Sequence, residues 1–217
     1  MMNTSEAVSV LRERLLATVV ATTGVTTLGS NLNGFVRLDG SFLADGFRVG
    51  MEVQPSGFVD NEPTVIEWLD DTTMVVSTEL TAEVAAAGRS LTVGIPSIRS
   101  WDNIEVDLVE GLWHVEEDFI PGPKSKATLS MRGQIHHQPM YVLRLYGIAG
   151  TGVDALYRVG DAILSQFAPG SALPMSDGSA LRVSTEMAPF YGQITYYENQ
   201  PVLTITIPLW KRTHNPI

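Results

Sequence analysis

The sequence predicts an α+β protein: a mainly antiparallel sheet with helices packed on one face, carrying an inserted small all-β domain of barrel-like or sandwich-like form. Three observations predict it. A helical stripe opens the chain, a long middle stretch is made of short Val-, Thr- and Phe-rich runs cut by Gly, Asp and Pro, and after Trp101 longer strands return around one amphipathic helix. With 217 residues, 44% of them hydrophobic and 18% charged, the chain has enough apolar side chains to bury a core and stands apart from disordered compositions.

The first element is a helix, because Val8, Leu11, Leu15 and Val19 recur at three- and four-residue steps. Asn3 or Ser5 serves as its cap, Glu6 falls in its first turn, and it is expected to end near Thr22-Thr23-Gly24. Strands are expected over 34–38, 47–53, 63–69, 73–77 and 90–95, with a tight turn at Asp70-Asp71-Thr72 and one short helical turn over 82–87. Later strands are expected over 112–118, 134–147, 181–184, 191–197 and 202–209, and the prolines of Pro121-Gly122-Pro123 separate the first of these from the second. Thr151 and Asp154 have the spacing of a helix start, and Leu156, Val159, Ile163 and Phe167 form its stripe, which stops at Pro169-Gly170. Leu203, Ile205, Ile207 and Leu209 alternate onto one face of the last strand, the surface on which Leu156, Ile163 and Phe167 are expected to pack. The expected division is therefore 1–23 with 101–217 as one α+β domain and 24–100 as the inserted β domain.

Charge narrows the function classes. The formal net charge is −10, with 24 acidic against 14 basic residues, which argues against a protein dedicated to gripping phosphate backbones. Residues 28–100 and 101–125 each carry a net −6, while 126–217 carry +2. Such a contrast fits two structural units, or one ring-forming unit with differently charged faces; an acidic surface kept for solubility explains it as well. There are no cysteines, so disulfides, thiolate metal sites and cysteine nucleophiles are excluded together. No run approaches the roughly 20 apolar residues of a membrane span, and the first residues lack the pattern of a signal peptide, so a soluble protein is expected.

The candidate chemistry is sparse. His136 and His137 lie near Glu116, Glu117 and Asp118 in sequence, but adjacent strand residues point to opposite faces and do not share one ion. A general base at His114 would need a partner and a pocket that the sequence does not identify. Gly147, Gly150 and Gly152 sit between a strand and a helix in the order G-x-x-G-x-G, which is not a dinucleotide-binding fingerprint and fits a simple strand-to-helix turn. Trp68, Trp101, Trp113 and Trp210 read as core or interface aromatics, since no basic groove accompanies them. The expectation is a protein without a catalytic, cofactor-binding or metal site.

One arrangement resembles a known family. Trp113-His114-Val115-Glu116-Glu117, a Pro-Gly-Pro loop, the strand Tyr141 to Gly147, Gly150-Thr151-Gly152 opening an amphipathic helix, and the closing strand Thr204 to Trp210 are similar to the tail terminator family of long-tailed bacteriophages. The first helix and Trp101-Asp102-Asn103 fit the same order. The stretch from Gly34 to Met51 resembles a small β module that recurs in phage tail proteins. The resemblance implies a structural virion protein of the neck, assembled in the host cytoplasm as a homohexameric ring. Its implied partners are the tail tube protein, the head–tail connector, and a sheath where the tail contracts, with genome DNA passing through the lumen without specific binding. Another neck component, a head completion or adaptor protein, fits the same size and charge. An unrelated enzyme or binding module is the remaining alternative.

Overall fold

The structure is a computed structural model that describes residues 3–100, 113–126, 134–150 and 152–214. Strand outweighs helix, 45% to 14%, and almost all pairing is antiparallel. Helix α1 (Thr4–Leu16) is capped by the Asn3 side chain, which accepts from Glu6 N, and it buries Ala7, Leu11 and Leu15. The helix stops earlier than expected. Residues beyond it form β1 (Ala21–Thr22), and Val19 is half exposed.

The middle of the chain is a closed six-stranded barrel, one of the two forms expected for it. Strands β2 (Thr26–Asn31), β3 (Gly34–Arg37), β4 (Glu52–Ser56), β5 (Thr64–Leu69), β6 (Thr73–Val76) and β7 (Glu83–Val93) run in the order β7-β2-β3-β6-β5-β4, and β4 returns to pair with β7. Closure removes the open edges that a small sheet would expose. Leu28, Phe35, Phe42, Phe47, Met74 and Leu91 fill its interior at 0% exposure. The turn at Asp70 forms as expected, with its carboxylate accepting from Thr72 N and Thr73 N, and these two bonds hold the Asp70 carboxyl below its usual range. Two expectations fail. The stretch expected as a helical turn, 82–87, is strand from Glu83 on, because Glu83–Arg89 pair with β2, and 47–51 is a turn that precedes β4.

A second sheet comes after the barrel. Its strands are β8 (Ser97–Ser100), β9 (His114–Ile120), β10 (Lys124–Lys126), β11 (Gln134–His137) and β12 (Met140–Tyr146). After α2 (Asp154–Gln166) come β13 (Ala172–Pro174), β14 (Ala180–Val183), β15 (Phe190–Tyr191), β16 (Thr195–Tyr197) and β17 (Gln200–His214). The 15-residue β17 is the spine. Along one side it pairs with β12 and then β11; along the other it meets β16, β15 and β14 in turn. Pro139 cannot donate to the ladder and splits the expected 134–147 strand, at the level where Pro121-Gly122-Pro123 splits β9 from β10. The expected 191–197 strand is likewise two short pieces. Leu203, Ile205, Ile207 and Leu209 are all buried, and α2 lies over them: a Cβ at Gly160 would stand 3.0 Å from Leu203 Cδ2 and 3.9 Å from Ile205 Cδ1. Leu156, Ile163 and Phe167 are at 0% exposure. The α2 cap is Val153, with no side-chain cap bond; the expected cap residue Thr151, like Trp101-Asp102-Asn103, lies outside the described residues.

Barrel and second sheet touch. Gly50, at φ +85°, lies so close to the sheet that a Cβ there would overlap Ile148 Cδ1 and stand 2.6 Å from Trp113 Nε1. Arg48 Nη2 donates to Asp154 Oδ2 at 3.0 Å, and Arg158 Nε reaches the same oxygen at 3.2 Å, so one carboxylate at the start of α2 ties helix to barrel. Both guanidiniums hold the Asp154 carboxyl below its usual value, the Arg158 bond most. On the other flank, the buried Glu117 carboxylate accepts from Arg12 Nε of α1 at 2.7 Å and from Tyr141 Oη at 2.6 Å.

Candidate interaction surface

The histidines divide between two faces, as strand alternation requires. His137 is buried and its Nε2 lies 2.9 Å from Thr213 Oγ1, and burial first, with nearby Lys124 and Lys211, pushes its pKa down. His136 points to the other face, its ring edge-on to Trp210 at 5.6 Å, and accepts from Arg212 Nε at 3.4 Å. Among the described residues, no group of three or more His, Asp or Glu side chains is placed to hold a metal ion. His114 is buried and stacks on Tyr146 at 4.3 Å, and Tyr146 Oη donates to Glu116 Oε2 at 2.8 Å. Gly147, Gly150 and Gly152 make the turn into α2, and Trp113 is core. Of the described tryptophans, Trp68 is 51% exposed and Trp210 is partly exposed.

What the sequence reading missed is a groove of about 430 Å³ at the end of the second sheet. Three separate segments build it: the Pro121–Pro123 break, the Gln138-Pro139 break, and the turn over 184–187, where Ser184 Oγ accepts from Glu186 N and Met187 N. Its floor is apolar, from Pro139, Met140, Pro208, Leu209 and Trp210, and Met187 on the rim is 54% exposed. His136, Arg212 and Glu186 also line it. Arg182 and Arg212 flank the Trp210 ring, at 5.8 and 5.4 Å from its centre, a cation–π arrangement that holds two cations over one indole. Among the described residues, Arg182 and Arg212 form no ion pair with a carboxylate. The available signal was the prolines at 121, 123, 139 and 208, each of which denies a ladder bond.

Next to the groove the sheet edge is incomplete. The short strands β15 and β16 leave Phe190, Tyr191, Tyr196 and Tyr197 at 47, 36, 70 and 53% exposure. Further along β17, Lys211, 1% exposed, donates from Nζ to Met175 Sδ at 2.9 Å and to Asp177 Oδ2 at 3.3 Å. Bonds from Ser179 above all, then Lys211, bring the Asp177 carboxyl down to about 2.

The surface combines an apolar groove, two arginines at the Trp210 ring and four exposed aromatic side chains. No family model matches the chain, and no curated protein matches it. One solved structure, of a protein without a descriptive name, superposes at a TM-score of 0.42 and 13% identity over 57% of this chain and 83% of its own. A likeness that weak carries no argument about family or function. No helix among the described residues is long and apolar enough to cross a membrane.

Proposed function

We propose that the chain is a structural protein of a long-tailed phage virion, a tail terminator whose homohexameric ring caps the tail tube, stops its polymerisation and joins the tail to the head connector. In this reading α1, α2 and the second sheet form an α+β layer that makes the ring wall, and the inserted β domain, expected over 24–100 and with its barrel strands over 26–93, projects from it. The tube protein, the connector and, in a contractile tail, the sheath are its partners. Its task is assembly, not turnover, and DNA crosses the lumen without specific binding.

The observation that carries the reading is the unfinished edge of the second sheet beside β17. Two- and three-residue strands leave four aromatic side chains a third to two thirds or more exposed, and the same sheet carries a groove with an apolar floor and two arginines that meet no carboxylate among the described residues. A monomer gains nothing from such an edge, and closed point-group assembly covers edges of this kind. Sequence resemblance supplies the kind of assembly. The test is a phage with an amber codon in this gene, grown in a non-suppressing host: tails of uncontrolled length that fail to join heads are expected. Tails of normal, uniform length on complete particles would end the terminator reading.

A further inference from the structure

The groove beside Trp210 has a counterpart on the barrel. Trp68, on β5, is 51% exposed, unusual for so large an apolar side chain. Exposed Glu67 precedes it and Asp70 and Asp71 come just after it. Among the described residues none of these three carboxylates pairs with a cation: Asp70 is spent on its own turn and Asp71 accepts from Ser41 Oγ. The surface of β5 thus presents an indole close in sequence to three carboxylates that pair with no cation among the described residues. The groove of the second sheet is apolar and carries Arg182 and Arg212 at the Trp210 ring, neither paired with a carboxylate among the described residues, with Glu186 also in its lining.

We infer that a second copy of this chain occupies the groove, its Trp68 entering between Met140, Met187 and Trp210 while Glu67 and Asp71 meet Arg212 and Arg182. The inference rests on the proposed ring and supplies its subunit contact. The two patches differ, so the contact is head-to-tail, the type that closes into a ring when the rotation permits. It also turns the uneven charge of the chain into an attraction: a protein of net −10 repels its own copies at long range, and a local match of opposite patches selects one docking orientation against that background. An exposed aromatic anchor entering an apolar pocket, with charged pairs at its rim, is the usual composition of an energetically dominant contact. A groove of about 430 Å³ is within the range that takes an indole together with its flanking side chains.

The test uses the full chain in four forms: wild type, Arg212→Glu, Glu67→Arg, and the two together, with Trp68→Ala as a fifth. All the changed side chains are at the surface, and unaltered thermal melts are the check that each variant folds. Sedimentation velocity over a concentration series reads association. Wild type is expected to associate, each single charge reversal and Trp68→Ala to weaken it by about tenfold or more, and the double reversal to recover most of the loss. Added salt should weaken wild type as well. Failure here leaves the terminator reading to be judged on tail length, because a ring that forms only on the tube is still a ring. The contact itself is overturned if wild type stays monomeric at every concentration. It is equally overturned if the double reversal recovers nothing, the result expected if the groove takes a segment of a different protein.

Discussion

Replacing Ile163 by Ala tests whether α2 is fastened to β17. Ile163 is at 0% exposure on the stripe that faces Leu203 and Ile205, and Gly160, one turn before it, lets helix and strand approach. The substitution removes three carbons, worth about 0.8 kcal/mol each in lost transfer energy, or about 2.4 kcal/mol. If the neighbours do not collapse, a cavity of about 60 Å³ adds roughly 1.4 kcal/mol at about 24 cal/mol per Å³. The expected loss is therefore about 2.5–4 kcal/mol. With a urea slope of about 2–3 kcal/mol/M, this lowers the midpoint by about 1–2 M at unchanged slope, read by far-ultraviolet circular dichroism. Thr204→Ala is the control. It lies on the opposite face of the same strand, half buried, and should move the midpoint far less. An unchanged midpoint in the Ile163 variant would show that the helix stripe is not part of the core.

Gly50→Ala forces a Cβ into Ile148 and Trp113 at φ +85°, so the left-handed conformation and overpacking together should cost about 2–5 kcal/mol and lower the melting temperature by at least about 5 °C. Glu117→Gln leaves Arg12 and Tyr141 without their carboxylate; because the Arg12 side chain is 42% exposed and water can re-solvate it, the loss in chemical denaturation should be about 1–3 kcal/mol, below that of a fully buried pair. Asp177 has a folded-state pKa of about 2 against an ordinary 3.8, so its contribution is present above about pH 4 and is lost as the pH falls through 2. Asp177→Asn should accordingly melt below wild type at pH 6 and approach it near pH 2, and a difference that stays constant over that range would refute the role of the charge.

Legibility tracked the scale of the physics. The stripe of α2 and the alternation along β17 were readable because each is local, repeated and buried: Leu156, Ile163 and Phe167 against Leu203, Ile205 and Ile207. The barrel was readable as all-β with the option of closure left open, since the pairing of β4 with β7 joins residues far apart in the chain. Ala82 to Ala87 misled because alanine favours helix, and the ladder with β2 overrides that preference. The end of α1 was overrun because Val19 continues the apolar spacing, although the chain has already turned to pair with β7. The groove was not legible at all. Each of its three segments reads as an ordinary loop, and only the shared level of their breaks along β17 brings them together.

The length of β17 has a consequence for how the chain is made. Every strand that pairs with it precedes it in order of synthesis, and β15 and β16 have no other partner strand among the described residues. The barrel, by contrast, has all its strands once residue 93 has emerged. Folding during translation therefore divides into an early event and a late one: the barrel can close while the second half waits as half-built hairpins. During that interval Phe190, Tyr191, Tyr196 and Tyr197 are even more exposed than in the finished fold, and the arrival of one strand joins β11, β12, β14, β15 and β16 in a single step. A nonsense codon at the start of β17 would thus release a chain with all its barrel strands and a second sheet without its spine, a product marked for aggregation rather than for assembly.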